Sequence, residues 1–188
     1  LDTATLEVCE GEYLDISYQE RAAVGVEEIV SVARKHGALF GLSAKLGGIA
    51  AAVDDDVLEA LNKFGTAVGA AQNLNIDLKA LWPDEGTERN EVQRGRLQSK
   101  KKSIATAHAI ETGTPTTRRR LGEIFMKRVL DPSDLDEVTA ILAETESRAF
   151  AETRVSELID ESTEALDSAG ISASQKDSLI ESSKLIAG

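Results

Sequence analysis

The sequence predicts an all-α protein, and three observations support this fold class. Ala, Leu and Glu, which favour helices, are common, whereas aromatic residues make up only 4% of the chain and Pro occurs three times. Apolar residues recur at three- and four-residue spacing along most of the sequence. Hydrophobic residues account for 41% of the 188 positions, which is enough for a sizeable core. We therefore expect residues 1–188 to form a single α-helical domain.

The net charge of −12 argues against some classes of partner. An acidic surface repels phosphate backbones, so we expect no nucleic-acid partner. The single cysteine, Cys9, permits neither an internal disulfide nor a cysteine-built zinc site. No apolar run approaches the ~20 residues of a membrane span and no signal peptide is visible, so we expect a cytoplasmic protein without a transmembrane segment. Because the chain opens at Leu1 within a patterned segment, we also expect N-terminal helices to be missing.

Helical patterns cover the first half of the chain. Residues 1–17 resemble the end of a helix, and the next helix is predicted at 26–46, with glycines that let a neighbouring backbone or a ligand come close. Its predicted inward residues are Val26, Ile29, Val30, Ala33, Leu39, Phe40 and Leu46. The aspartates at 54–56 suit the N-terminus of a helix at 57–82, which Pro83 ends.

Further helices are predicted in the second half of the chain. A polar loop at 84–90 leads to a charged, partly helical segment at 91–102, and Thr114-Pro115 interrupts the chain again. The remaining predicted helices are 103–112, 117–129, 133–168 and 172–186. Ser133 and Asp136 resemble a capping box, with Asp in the place of Glu.

The helix predicted at 57–82 has an apolar stripe that becomes polar. The apolar part of the stripe comprises Leu61, Phe64, Gly65 and Val68. The stripe then continues into Gln72, Asn75, Ile76 and Lys79. Asp77 points to the far side of the helix. Leu74, Leu78 and Leu81 form a second apolar face, so we expect this helix to be buried over most of its girth.

Polar groups on a buried stripe need partners, because an unpaired buried amide costs about 1–3 kcal/mol and an unpaired buried ammonium costs more. One interpretation is a cavity that holds water or an anion. The alternative is that the stripe emerges into solvent near the end of the helix.

Three adjacent cations form a second candidate binding feature. Lys100, Lys101 and Lys102 directly precede Ser103 and an apolar helix. Ammonium groups, a hydroxyl and unpaired backbone amides are suited to binding phosphate oxygens. The alternative is a solvated basic turn. The arginine run at 118–120 is expected on the surface.

These segments occur in an order that resembles the C-terminal part of the trans-polyprenyl diphosphate synthases, which have the all-α isoprenoid synthase fold. Residues 11–15, Gly-Glu-Tyr-Leu-Asp, are similar to the Gly-Gln-x-x-Asp-Leu segment of that family, with Glu12 in the place of Gln. Residues 34–40, Arg-Lys-His-Gly-Ala-Leu-Phe, are similar to its Lys-Thr-x-x-Leu-Phe segment. There Lys35 matches and His36 replaces Thr.

Two later segments extend the resemblance. Residues 64–72 look like the approach to the family's second aspartate motif, in which Gln72 matches the Gln of Phe-Gln. Residues 101–105, Lys-Lys-Ser-Ile-Ala, look like Lys-Lys-Thr-Leu-Pro, with Ala105 in the place of Pro. The resemblance covers nearly the whole chain but only the later half of a typical synthase.

The resemblance implies chain elongation. An allylic diphosphate ionises, the double bond of isopentenyl diphosphate attacks the cation, and pyrophosphate leaves. In this family two Asp-rich motifs bind Mg²⁺, which neutralises the leaving group. The resemblance also implies that Lys35, Gln72, Lys101 and Lys102 bind the diphosphate. The implied partners are isoprenoid diphosphates and a second subunit, either a copy of the chain or a related synthase.

The second aspartate motif is altered in this chain. The family pattern places Asp at three positions where this sequence has Asn75, Ile76 and Lys79. Asn75 can offer a neutral oxygen to a metal, whereas Ile76 cannot bind one and Lys79 repels one. Lys79 is therefore considered as a direct counter-charge to the diphosphate. The aspartates at 54–56 imitate an Asp-rich motif but precede the helix, so we interpret them as a cap and a solvated charge run.

Three functions remain open from the sequence. The first is a transferase that condenses an allylic diphosphate with isopentenyl diphosphate. The second is a non-catalytic isoprenoid-diphosphate-binding or regulatory subunit that pairs with an active synthase, which the lost carboxylates suggest. The third is a helical scaffold without a ligand. A variant of the first, in which a peptide or protein accepts the prenyl group, also stays open. The sequence leaves open whether this chain is itself an enzyme.

Overall fold

The computed structural model describes residues 1–84, 86–88, 91–167 and 169–187, and these residues form helices and no strands. The all-α prediction is therefore confirmed. In chain order the helices are α1 (Asp2–Gln19), α2 (Val26–Ala50), α3 (Asp55–Leu81), α4 (Glu91–Gln98), α5 (Ile104–Thr112), α6 (Pro115–Met126), α7 (Pro132–Glu144), α8 (Ser147–Asp167) and α9 (Ala173–Ala187).

Most predicted helices are present with shifted ends, and one prediction was wrong. The helix predicted at 133–168 is two helices, α7 and α8, separated at Thr145 and Glu146. Glu146 has a φ of 52°, in the left-handed region, so it cannot continue a right-handed helix. The predicted loop at 84–90 lies partly outside the described residues, and the predicted helix end at Ser168 lies outside them.

The capping box at the start of α7 is formed by Asp131 and Asp134, so the prediction of Ser133 and Asp136 was wrong. The Asp131 carboxylate accepts the backbone N–H of Asp134, and the Asp134 carboxylate accepts that of Asp131, both at 3.0 Å. Pro132 lies in the first turn, where its missing N–H costs nothing. The helix starts earlier than predicted, so Ser133 lies inside its first turn and donates to the Asp131 carboxylate at 2.6 Å.

The chain divides into two compact units, and the boundaries fall inside α1, α2, α3 and α8. Unit 1 comprises Leu1–Glu12, Val32–Asn75 and Arg154–Gly188. Unit 2 comprises Tyr13–Ser31 and Ile76–Thr153. That residues 1–188 form one domain stays a prediction.

In unit 1, glycines bring α2 and α3 into backbone contact. A Cβ on Gly69 would lie 2.7 Å from the Cα of Gly37, closer than real Cβ contacts allow. A Cβ on Gly65 would overlap the carbonyl oxygen of Phe40. The sequence-based expectation that small residues admit a neighbouring backbone is confirmed at these positions. Gly47 has open space around it and needs no such explanation.

The core of unit 1 forms around the apolar stripe of α3. Leu61, Phe64 and Val68 are buried and pack with Leu166 of α8. Two predicted inward residues of α2 are exposed, since Leu39 is 40% exposed and Leu46 is 52% exposed. The glycines, rather than these leucines, form the face of α2 that packs on α3, and so the inward assignment of Leu39 and Leu46 was wrong.

In unit 2, the first turn of the short helix α5 is buried, and its last two residues are exposed. Its alanines and Ile104 are small enough for α6 and α7 to pack closely around it. Ser103 caps its N-terminus by accepting the backbone N–H of Thr106 at 3.2 Å. The most deeply buried large residues contributed by α6 and α7 are Leu121, Val138, Ile141 and Leu142.

Candidate functional site

Within unit 1, the two segments that resemble the family's Gly-Gln and Lys-Thr motifs meet between α1 and α2. The Nζ of Lys35 donates to the Glu10 carboxylate at 2.8 Å, and the Lys35 side chain is 25% exposed. The Nδ1 of His36 lies 3.5 Å from a Glu12 carboxylate oxygen. Gly11 permits this approach, because a Cβ there would lie 3.0 Å from the Lys35 Cβ. An anion that binds Lys35 must therefore compete with Glu10.

The polar part of the α3 stripe is half-buried. Gln72, Asn75 and Lys79 each keep part of their surface in contact with solvent, whereas the apolar part of the same stripe is buried. The side chains are thus neither enclosed nor fully solvated. That they face an anion-binding cavity stays a prediction.

The sequence analysis missed a buried charge cluster in unit 2. Arg96 of α4 donates to the carboxylate of Asp77, which is only 4% exposed. The Nζ of Lys101 lies 3.8 Å from the other oxygen of Asp77 and donates to Asp15 at 2.6 Å. Two carboxylates thus balance two cations away from water, which is the arrangement that makes buried charges tolerable.

Burial raises the pKa of Asp77, and the positive charges of Lys101 and Arg96 oppose that rise. The sequence contained a usable signal for this cluster. Asp77 lies among Leu74, Leu78 and Leu81 on an apolar face, and a carboxylate on such a face requires a cationic partner. The identity of that partner depends on the position of α4, which the sequence pattern does not specify.

A small cavity of about 20 Å³ lies beside this cluster, under α4. Asp77, Arg96, Lys101 and Ser103 contribute to its wall, together with apolar residues of α6 and α7. This volume accommodates about one water molecule. A diphosphate does not fit into it, so this cavity is not the predicted substrate pocket.

The lysine run at 100–102 is not a solvated turn. Lys100 has a φ of 58° and donates to the carbonyl oxygens of Phe125 and Lys127, at 3.4 and 3.2 Å. Lys101 belongs to the buried cluster. Lys102 is 2% exposed, and its ammonium lies 4.0 Å from the centroid of the Phe125 ring. The three lysines therefore make three different contacts within unit 2.

Of the three lysines, Lys102 has the most deeply buried side chain. Its Nζ donates no hydrogen bond to any of the described residues. Burial lowers its pKa to about 8, and the neighbouring charge of Lys100 contributes to that decrease. The Phe125 ring face compensates part of the lost hydration through a cation–π contact.

The two other charge runs are mostly exposed, as the sequence predicted. The exception is Arg120, which is half-buried and pairs with Glu137 and Glu144. The aspartates at 54–56 are exposed, and α3 begins among them. Arg118 and Arg119 are exposed as well, although Arg118 also donates to two backbone carbonyls at the end of α5.

The residues at the altered aspartate motif do not fit the Mg²⁺ that the family implies. Of Asn75, Ile76 and Lys79, only Asn75 carries an oxygen that a hard cation prefers, and Lys79 adds a positive charge nearby.

Within the described part of the chain, no helix is both long and apolar enough to cross a membrane.

Comparison with known proteins extends these observations. The sequence model of the family described as Polyprenyl synthetase matches residues 1–142, which include all four motif segments. A geranylfarnesyl diphosphate synthase of Natronomonas pharaonis is 29% identical over 173 residues, covering 89% of this chain and 47% of that protein. The chain spans about half the length of the curated relatives it matches.

Solved structures agree with this assignment. The structure of a geranylgeranyl pyrophosphate synthetase from Pyrococcus horikoshii is 28% identical and superposes with a TM-score of 0.83 over 98% of this chain and 56% of that one. A geranylgeranyl pyrophosphate synthase from Corynebacterium glutamicum, solved in complex with isoprenyl diphosphate and magnesium, is 24% identical and has the same fold. Its TM-score is 0.81 over 96% of this chain and 52% of that one.

The predicted isoprenoid synthase type of helical bundle is thus confirmed. The family match extends over three quarters of the sequence and contains the residues that carried the resemblance. The chain belongs to the polyprenyl synthetase family.

Proposed function

We propose that this chain is the later part of a polyprenyl diphosphate synthase, a transferase that condenses an allylic diphosphate with isopentenyl diphosphate. The observation that carries the proposal is the family match over residues 1–142, which holds the four motif segments in their family order. The relatives reported above are named as synthases, and none of these names supports the regulatory alternative.

In this proposal, the residues of the chain act mainly on the diphosphate. Lys35, Lys79, Lys101 and Lys102 supply positive charge, and the Gln72 amide supplies hydrogen-bond donors. A diphosphate leaves an allylic carbon readily only if its developing charge is neutralised, and cations in the site provide that neutralisation. The substrates would be isoprenoid diphosphates.

Two of these lysines hold carboxylate partners that a substrate must displace. Lys35 pairs with Glu10, and Lys101 pairs with Asp15. The Lys35 pair is partly exposed and therefore weak, typically below about 1 kcal/mol. The Lys101 pair is buried, so its exchange for a diphosphate requires an equally complete set of partners. We therefore rank Lys35 above Lys101 as a direct ligand.

Mg²⁺ is proposed for the whole protein only through its family. Asn75 is the one residue of the altered motif that could contribute an oxygen, and we assign no catalytic step to a metal held by this chain. We propose instead that Lys79 provides positive charge where relatives with the complete motif have a carboxylate. Assembly as a homodimer, or as a heterodimer with a related synthase, and a cytoplasmic location are further parts of this proposal.

Turnover tests the proposal directly. The full-length protein is incubated with labelled isopentenyl diphosphate and allylic primers of increasing length, with Mg²⁺ present. We expect elongated prenyl diphosphates, and a decrease in kcat/KM of about tenfold or more for Lys35→Ala, which corresponds to at least about 1.4 kcal/mol of lost transition-state stabilisation. Lys63→Ala, an exposed lysine on α3, is the matched control. Absence of product with every primer would contradict the proposal.

A further inference from the structure

A surface groove of about 340 Å³ lies in unit 2, where the end of α3 meets the first turns of α7 and α8. Its volume falls within the range of small-molecule sites in proteins. None of the candidate diphosphate ligands contributes to its wall. We call it the Trp82 groove, and it does not depend on the proposed function.

Rigid apolar groups form much of the Trp82 groove. Trp82, the single tryptophan of the sequence, is half-buried there. Pro83, Pro132 and Leu135 extend the apolar surface on both sides. Proline rings and an indole lose little conformational freedom when a ligand binds, so this surface is largely preorganised.

Arg148, at the start of α8, provides a polar end to the groove. Its Nε donates to Glu152 at 2.8 Å, one helical turn further on, which orients the guanidinium. Its Cζ lies 5.5 Å from the centroid of the Trp82 ring, within the range of cation–π contacts. Neither terminal nitrogen of Arg148 has a partner in the described part of the chain, and the side chain is 57% exposed. A held guanidinium with two available N–H groups matches the geometry of a carboxylate.

The two charged residues that line the groove favour one orientation of an anionic ligand. Among the described residues that line it, Arg148 is the one cation and Asp136 is the one anion. Asp136 is exposed and repels a negative head group, so the two charges direct such a head group toward Arg148. The apolar part of the ligand then lies against Trp82 and the prolines.

We propose that the Trp82 groove binds a small organic carboxylate with a bulky apolar body. The carboxylate accepts both terminal N–H groups of Arg148, and the body packs on Trp82, Pro83 and Leu135. Neither half of such a ligand suffices alone: the exposed guanidinium binds a bare anion weakly in water, and the apolar surface does not select a head group.

Because Trp82 lines the groove and is the single tryptophan of the sequence, its fluorescence reports binding there. We measure Trp82 fluorescence in the 188-residue chain during titration with 3-cyclohexylpropionate, which does not absorb at the excitation wavelength. The matching amide, 3-cyclohexylpropionamide, has the same body without the charge, and acetate has the charge without the body. We expect a saturable signal with the carboxylate and at least tenfold weaker binding of the amide and of acetate.

Variants assign the binding to Arg148. Arg148→Gln should weaken binding of the carboxylate at least tenfold, and Asp136→Asn should strengthen it two- to threefold. Arg119→Gln is the matched control, since Arg119 also forms an exposed pair one helical turn before a glutamate, Glu123, and should bind as the wild type does. The opposite effect expected of Asp136→Asn remains measurable even if Arg148→Gln folds poorly.

Three results would overturn the proposal: a signal that does not saturate, equal binding of the carboxylate and the amide, or an affinity unchanged in both Arg148→Gln and Asp136→Asn. Inorganic pyrophosphate is a further probe. If it displaces the carboxylate and depends equally on Arg148, the groove is an extension of the diphosphate site and the assignment to organic carboxylates fails.

Discussion

At the scale of single residues, the protein tolerates two buried charges in different ways. Asp77 has cationic partners on both sides, whereas Lys102 has an aromatic ring and no hydrogen-bond acceptor among the described residues. Burial penalises both charges, and the two cations beside Asp77 offset only part of its penalty. An ammonium without an acceptor remains a net destabilising element. Burial of the Lys102 ammonium therefore lowers the stability of the folded protein.

Replacement of Lys102 should stabilise the protein. Lys102→Met keeps an unbranched side chain against Phe125 and removes the desolvated charge, so we expect the free energy of unfolding at pH 7 to rise by about 1–3 kcal/mol. The folded-state pKa of about 8 lies below the ordinary value of 10.5, so the unfolded chain binds more protons between these values. The wild type should therefore gain stability as the pH rises from 8 to 10.5, and its difference from the variant should shrink.

Urea unfolding of both proteins at pH 7, 8, 9 and 10 measures this effect. A variant that is less stable than the wild type at pH 7 would contradict the assignment of Lys102 as a destabilising charge.

His108 should make stability sensitive to mild acid. Its ring stacks on Phe150 with centroids 4.0 Å apart, and its Nδ1 lies 2.9 Å from the Ser147 hydroxyl. Burial lowers its pKa, against the opposing charge of Glu111. The unfolded state then binds the proton first, so stability falls as the pH drops below about 6.5. Chemical denaturation between pH 7 and 5.5 should show a smaller slope for His108→Gln, and an unchanged slope would rule out this contribution.

Helical periodicity predicted burial correctly for Leu61, Phe64 and Val68. It failed for Leu39 and Leu46, because the glycines of α2 rather than these leucines pack on α3. It did not predict the Asp77–Arg96 pair, because that contact joins residues 19 positions apart through the placement of α4. The sequence predicted the Glu12–His36 contact only in part. The two motif segments were identified in the sequence, but the distance between them depends on the packing of α1 against α2.

At the scale of elements, the contact between α2 and α3 depends on glycine. Gly37, Gly65 and Gly69 allow the two backbones to touch, at the cost of helix propensity, roughly 1 kcal/mol for each mid-helix glycine relative to alanine. The sequence predicted a close approach there, but not which neighbour approaches. The break between α7 and α8 was missed because Thr145 and Glu146 carry no proline or glycine signal.

Two glycines of α2 should respond oppositely to the same substitution. A methyl group on Gly37 would overlap the Thr66 carbonyl oxygen, so Gly37→Ala should destabilise the protein by about 1–3 kcal/mol through forced separation of the helices. Gly47 has open space around it, so Gly47→Ala should be neutral or stabilising by up to about 1 kcal/mol. Thermal unfolding of the pair measures both effects, and equal melting temperatures would refute the proposed close packing.

The ion pair between Arg96 and Asp77 should hold α4 against the rest of unit 2. Arg96→Met leaves Asp77 with Lys101 alone at 3.8 Å, so we expect a loss of about 2 kcal/mol and faster proteolytic cleavage near α4. Gln98→Met, an exposed position on the same helix, is the control. A double-mutant cycle with Asp77→Asn should give a coupling energy above about 1 kcal/mol, and additive effects would show that the pair contributes nothing to stability.

At the scale of the whole molecule, the cations proposed to bind the diphosphate lie in a few segments of an acidic chain. The net charge is −12, yet the segments that carry the family resemblance contribute Lys35, Lys101 and Lys102, and the altered motif adds Lys79. The composition predicted the all-α class, and the order of the motifs predicted the family. The half-buried state of Gln72, Asn75 and Lys79 required coordinates, because the helical pattern does not reveal what covers a face.

The central claim is that Lys79 takes over part of the charge compensation of an isoprenoid diphosphate site. Calorimetric titration of geranyl diphosphate, with EDTA and then with Mg²⁺, measures it in the wild type, in Lys79→Ala and in Lys63→Ala. The account predicts detectable binding in EDTA, about tenfold weaker binding for Lys79→Ala, and no change for Lys63→Ala. An affinity that is identical in the wild type and in Lys79→Ala, or no binding under either condition, would contradict it.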